Sequence, residues 1–203
     1  SNDGVHSDFV KLNAFSKDRF FKESTADSLE GDQYVQLYLT DFDENKRSNQ
    51  VEAEHDSSIF SRTKRLDKNR SNYSPEADEL NYGIKNKFAT GILESIIDGF
   101  SGQVTRVRLA CLKAGFTIEP HVDYDPSYIS RYHIPIITNT EVSMFVQRGD
   151  DIAEYQMPAD GRIYFFNSGQ IHWVKNNSEF DRLHLIVDVH GQQDLQQLKE
   201  IIF

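Results

Sequence analysis

The chain has 203 residues, 38% hydrophobic and 12% aromatic, which is apolar material for one well-buried core rather than two. A formal net charge of -10 argues against duplex nucleic acid and anionic membrane as partners, because both reward clustered positive charge. The single cysteine, Cys111, excludes an intrachain disulfide framework and fits a reducing compartment, so a cytoplasmic location is expected.

The first residues are Ser1-Asn2 with no methionine, which leaves a removed leader open, although no signal peptide is visible. No apolar stretch approaches the roughly 18 to 20 residues that a membrane-spanning helix needs. Residues 1–74 are polar and charged, with one convincing strand from Tyr34 to Thr40, where Val35, Leu37 and Leu39 alternate with Tyr34, Gln36 and Tyr38. Asp41 to Asn72 reads as a long loop with few apolar anchors. Its basic run, Lys64, Arg65, Lys68 and Arg70, reads as solvated, the alternative being a lid whose cations meet an acidic substrate.

Ser74-Pro75-Glu76 has the composition of a helix start: a capping hydroxyl, a proline at the first helical position and an acid in the first turn. Leu80, Ile84, Phe88, Ile92 and Ile96 then recur every four residues, predicting a helix over 75–99, or a pair broken near Gly83 or Gly91, that covers a sheet. From Gly102 onward the pattern is of short strands parted by turns: Val104 to Leu112, Arg131 to Ile137, Val142 to Gln147, Ala153 to Met157, Arg162 to Phe166, His172 to Lys175 and Arg182 to Val189. Strands so short and regularly spaced predict a sandwich or barrel-like β fold over 104–190. A helix from Gln192 to Ile202 is expected in the closing segment, 191–203, of a single domain spanning 1–203.

The chemistry gathers at Pro120-His121-Val122-Asp123-Tyr124. On extended backbone, side chains two residues apart point the same way, so His121 and Asp123 can converge on one ion. His172 supplies a second imidazole, and two His with one carboxylate are the ligand set of non-haem Fe(II) oxygenases. Arg182 begins the next strand, and a guanidinium matches a carboxylate bidentately; a structural ion pair with Asp181 or Asp188 is the plainer alternative. Arg131 and His133 share a face by alternation, adding two cation-capable groups where a merely structural sheet would be apolar.

The stretch from about Val104 to Val189 resembles the aspartyl/asparaginyl β-hydroxylase-like family of Fe(II)/2-oxoglutarate dioxygenases, which includes free-standing bacterial proline hydroxylases. The matching pieces are Leu112 to Asp123, Arg131 to Ile136, Gly161 to Asn167 leading to His172, then Asn176 and Arg182 to Asp188. The resemblance implies a double-stranded β-helix, or jelly roll, mainly β with flanking helices. It implies Fe(II) on His121, Asp123 and His172, with the far carboxylate of 2-oxoglutarate on Arg182. Arg131 and His133 match the pair near the metal-chelating end of the cosubstrate, and His184 and Asn167 stand behind these groups. Aspartyl/asparaginyl hydroxylases proper have glycine where this chain has Asp123, whereas the proline hydroxylases keep the acid. Halogenating relatives in the wider superfamily lack the carboxylate.

The activity so implied is hydroxylation of an amino acid or peptidyl residue, using O2 and 2-oxoglutarate and releasing succinate and CO2, with ascorbate as a stimulant. The substrate is then a small molecule or peptide, a free amino acid being favoured slightly, and the oligomeric state stays open. Loops at 41–72 and 124–130, with Tyr124 and Tyr128, are the expected substrate walls. Two other readings stay open: a non-oxidative metal-binding module of cupin type, and an interaction domain without catalysis, the latter favoured if His172 or Arg182 turns away from His121.

Overall fold

Alternation along the strands decides the architecture. The computed structural model describes residues 33–46 and 78–191. The expectations for the segment 47–77, including the run Lys64 to Arg70 and the helix start at Ser74-Pro75, and for the helix Gln192 to Ile202 lie outside these residues. No described helix is long and apolar enough to cross a membrane.

Among the described residues eleven strands follow in order: β1 (Tyr34–Tyr38), β2 (Thr40–Asp41), β3 (Ile84–Lys85), β4 (Gln103–Leu112), β5 (Thr117–His121), β6 (Ser130–Ile137), β7 (Val142–Arg148), β8 (Asp151–Tyr155), β9 (Tyr164–Phe166), β10 (Ile171–Asn176) and β11 (Arg182–His190). A five-stranded sheet has the order β1-β4-β11-β6-β9 and a four-stranded sheet the order β5-β10-β7-β8. From β4 onward the chain passes between the two sheets, and every strand pair is antiparallel. That winding is a double-stranded β-helix, the expected jelly roll.

Each face of the large sheet has its own task. Leu183, Leu185, Val187 and Val189 of β11 join Leu37, Leu39, Val107, Leu109, Cys111 and Tyr132 in a buried cluster on the outer face. It is covered by α1 (Ile92–Asp98), which contributes Leu93, Ile96 and Ile97. A second cluster, with Leu112, Val142, Met144, Val146, Phe166 and Val174, fills the space between the sheets. The alternate residues of β11, Arg182, His184 and Asp188, are buried on the inner face.

The helix expected over 75–99 is largely replaced. Within it lie a 3-10 turn at Glu79–Asn81, the short strand β3 paired with β2, and a true helix only at α1. The four-residue repeat loses to tertiary contacts. A Cβ at Gly83 would lie 2.6 Å from the Val104 carbonyl, so the chain runs hard against β4 there. Asn86 donates from its side chain to the Tyr38 carbonyl at 2.9 Å and to Asp41 at 3.0 Å, tying the segment to β1 and β2. Strand β5 goes beyond the seven expected after Gly102. At the β7–β8 hairpin, Arg148 pairs with Asp151 across the two residues Gly149-Asp150, and Gly149 takes the φ of 61° that such a tight turn asks of its first residue.

Candidate metal centre and the buried cations beside it

His121 closes β5 and His172 stands directly opposite it near the start of β10. The β5–β10 register slips by one residue just past this pair, where β5 carries Glu119-Pro120. Proline has no N–H to give the ladder, so an irregularity at that place is expected. The two rings lie 4.2 Å apart. Each turns its Nδ1 to the carbonyl two residues earlier: His121 to Glu119 at 2.7 Å, His172 to Gln170 at 2.8 Å. With Nδ1–H donated to backbone, the lone pair sits on Nε2, the atom a metal would take. Burial and the neighbouring His121 push the His172 imidazole down to about 4, so it is neutral at physiological pH.

Both Nε2 atoms face Asp123, whose Oδ2 lies 3.8 Å from His121 and 3.7 Å from His172. Asp123 lies just beyond β5, and its N–H donates to the Ser168 carbonyl at 2.8 Å. Gly169 allows that approach, because a Cβ there would come within 3.2 Å of both Asn167 Oδ1 and the Asp125 Cα. One ligand atom from each of His121, Asp123 and His172 falls within 4.8 Å of the other two. Among the described residues these are the groups that meet metal-ligand geometry.

Arg131, expected beside His133 at the cosubstrate, has a guanidinium spanning two carboxylates. Its Nε and one terminal nitrogen reach Asp188 at 2.7 and 3.1 Å, and the remaining nitrogen contacts Asp123. Asp188 also accepts from Arg108 at 2.8 Å. Burial works to raise the Asp188 carboxyl, but Arg131 and Arg108 outweigh it and hold it well below the carboxylate range. For Asp123, burial is likewise outweighed, by Arg131 and then the two imidazoles. Sequence reasoning noted Asp188 only as a rival partner for Arg182; the polar alternation Arg182, His184, Asp188 along β11 was the signal for its inward position.

A bulge between β4 and β11 aims Arg108 at Asp188. Arg106 sits in it with φ 45°, a left-handed conformation that costs about 1 kcal/mol or more for a residue with a Cβ. It is held by Glu79 at 2.9 Å and by the Tyr38 hydroxyl at 3.0 Å. Tyr124 lies near the same Glu79 and packs edge-on against Tyr128, with ring centroids 5.5 Å apart.

Arg182 is a different kind of arginine. Neither acid proposed for it is its partner, since Asp181 takes Lys113 at 2.8 Å and Asp188 takes Arg131 and Arg108. No ion pair to Arg182 occurs among the described residues. It is 2% exposed, and burial pushes its guanidinium down to about 10, with Tyr34 and then Cys111 opposing. One terminal nitrogen donates to His184 Nδ1 at 2.7 Å, and His133 Nδ1 approaches the same atom at 3.3 Å. Because arginine can only donate, His184 Nδ1 accepts, and its Nε2 carries the proton. Burial first, then the nearby arginines, hold His133 well below the ordinary histidine value; for His184 it is burial, then Arg182 and His133. Three buried polar atoms here have no partner among the described residues: Arg182 Nε, His133 Nε2 and His184 Nε2. Phe166, which sequence reasoning did not single out, stands edge-on to His172 at 4.8 Å and to His133 at 5.8 Å, joining the two clusters.

A family model described as aspartyl/asparaginyl β-hydroxylase matches residues 86–191. The chain belongs to the aspartyl/asparaginyl β-hydroxylase family. The matched segment holds His121, Asp123, His172, Arg131, His133 and Arg182, while β1 and the Glu79 turn lie before it. No curated protein sequence matches the chain. Among solved structures, this β-hydroxylase family member is similar to a protein of Thermus thermophilus, at 23% identity over 43% of this chain and 72% of that one, TM-score 0.28. A cupin domain from Bordetella pertussis aligns at 16% identity over 43% of this chain and 82% of that one, TM-score 0.34. A recombinant oxalate oxidase in complex with glycolate aligns at 13% identity over 43% of this chain and 42% of that one, TM-score 0.34.

Proposed function

We propose that the protein is an Fe(II)- and 2-oxoglutarate-dependent dioxygenase that hydroxylates an amino acid or a peptidyl residue. One juxtaposition carries this reading: a His-Asp-His group with both Nε2 atoms turned to one carboxylate, linked through Phe166, His133 and His184 to a buried arginine that pairs with no acid among the described residues. The donor set suits the metal, since two imidazoles and one carboxylate leave positions open for a chelating cosubstrate and O2. The second cluster suits a dicarboxylate. A buried cation without a counter-ion is expensive, and the unpartnered Arg182 Nε and His184 Nε2 are donors for an anion.

On this reading His121, Asp123 and His172 hold Fe(II), Arg182 with His184 holds the distal carboxylate of 2-oxoglutarate, and His133 lies between them. When bound, the metal and cosubstrate supply the oxidising power that places one atom of O2 in a C–H bond and the other in succinate, with loss of CO2. The protein's own contributions are positional. Arg131, anchored on Asp188, fixes the Asp123 carboxylate and keeps it ionised. The backbone carbonyls of Glu119 and Gln170 fix both imidazole tautomers. Phe166 packs an apolar ring between His172 and His133 and so limits water there. Tyr124 and Tyr128, on the loop after Asp123, stand as the substrate wall. A free amino acid is the favoured substrate, with peptides next.

The test is substrate-stimulated succinate release with Fe(II), ascorbate and 2-oxoglutarate over a panel of free amino acids and short peptides. Anaerobic binding of metal and cosubstrate is measured alongside. Absence of cosubstrate binding, with a His121→Ala variant that binds metal as well as wild type, overturns the proposal. Substrate turnover without succinate favours a non-oxidative cupin-type activity instead.

A further inference from the structure

Strand β1 lies before the family-matched segment, yet it forms the edge of the large sheet next to β4. Its register puts Tyr34 opposite Leu112, and Leu112 opposite Arg182. The three therefore form one row across adjacent strands, with the outer two Cα atoms about 10 Å apart at the usual strand spacing. All three use the inner face. Leu112 belongs to the cluster between the sheets and Tyr34 packs against that cluster, while the neighbours Val35 and Leu37 point to the outer one. Tyr34 and Arg182 thus converge over Leu112, and Tyr34 is the foremost of the groups that oppose the effect of burial on Arg182.

We propose that Tyr34 is a ligand-binding residue whose hydroxyl donates a hydrogen bond to the carboxylate held by Arg182, so that the anion site is completed by a strand outside the family segment. The proposal rests on the reading of this cluster as the seat of a dicarboxylate's distal carboxylate. Several observations support it. Arg182 and His184 bring donors from one side of the row only, and a carboxylate has room for more. Tyr34 stands at the other end of that row, on the same face, and carries a group that is also a donor. Burial holds its phenol above the ordinary tyrosine value, against the pull of Arg108, Arg182 and Arg131, so the proton is present at neutral pH. A phenol adds a donor without placing a second cation beside Arg182.

The experiment compares full-length wild type with Tyr34→Phe, which keeps the ring and removes the hydroxyl. Calorimetric titrations on Mn(II)-loaded protein use three probes: 2-oxoglutarate, N-oxalylglycine and oxalate. The first two carry a distal carboxylate, and oxalate reaches only the metal. Loss of a hydrogen bond to a charged group should weaken the first two by about tenfold or more. Oxalate affinity and the thermal midpoint should stay at wild-type values. Equal affinities of both proteins for all three probes overturn the assignment of Tyr34 while leaving the dicarboxylate reading intact. A parallel loss of oxalate affinity or of thermal stability shows a structural role and also overturns it. If wild type binds oxalate but neither longer probe, the dicarboxylate reading fails and Tyr34's role with it.

Discussion

Asp188 grips Arg131 through two nitrogen–oxygen contacts, at 2.7 and 3.1 Å, and so aims the guanidinium whose remaining nitrogen meets Asp123. Asp188→Asn removes the carboxylate that Arg131 and Arg108 share. Breaking a buried pair from one side typically costs about 3–5 kcal/mol, so urea denaturation should show a loss of that order. Metal affinity should fall as well, by roughly 10- to 100-fold, the usual effect of losing a partner behind a ligand. Calorimetry with Mn(II) measures the second effect independently of the first.

Asp188 also makes the fold sensitive to acid. Its folded-state pKa is depressed below the usual carboxylate value of about 3.9, so its contribution is complete above that pH and fades as pH falls toward the folded-state value. Wild-type stability should therefore drop below about pH 4. In Asp188→Asn the same stretch should be flatter, which chemical denaturation at a series of pH values will reveal.

Arg182 should behave in the opposite sense. Its buried guanidinium has no counter-ion among the described residues, so Arg182→Met removes a desolvated charge and keeps an apolar stem. The ligand-free variant should melt no lower than wild type. Its affinity for 2-oxoglutarate should nevertheless fall by about a hundredfold, since a charge-assisted contact is gone. A large loss of stability in the variant would mean that Arg182 is structural.

Asn176 is 1% exposed and ties three segments together. Its Nδ2 donates to the carbonyls of Leu112, Lys113 and Phe180 at 3.2, 3.1 and 2.8 Å, and its Oδ1 accepts from Ser178 Oγ at 2.7 Å. Asn176→Ala leaves buried carbonyls unmet and should lower stability by about 2–4 kcal/mol. Because β10 and β11 meet at this corner, metal affinity measured well below the melting temperature should change little.

Gly169→Ala tests the packing behind Asp123. The new methyl must displace Asn167 or the backbone at Asp125, both 3.2 Å away. Metal binding should weaken severalfold while the melting temperature shifts by only a few degrees. Unchanged metal binding would show that the loop yields without moving Asp123.

The strands were legible because most of them bury one face, and alternation records that. Thr117–His121 escaped because Glu119 and Pro120 are exposed and the proline interrupts the ladder, so no apolar period of two survives there. The helix over 75–99 was overextended for the converse reason: a four-residue apolar repeat is visible in sequence, whereas the pressure of Val104 on Gly83 is not. The residues of the metal centre were readable from H-x-D and its distant histidine. What could not be read was the allocation of the arginines. Arg108, Arg131 and Arg182 all lie on the inner face, and only the register of β4, β6 and β11 decides which two share Asp188 and which pairs with no acid among the described residues.

The division of labour along β11 has a consequence for how this chain can change. Leu183, Leu185, Val187 and Val189 face the covering helix while Arg182, His184 and Asp188 face the interior. A period of two means that one inserted or deleted residue exchanges the faces beyond it. Charged groups would then enter the oily side and leucines the chamber, so chemistry and folding would fail in the same step. Length variation in this strand is therefore tolerable only in pairs of residues, or where a neighbouring strand absorbs the odd one, as β4 already does at Arg106.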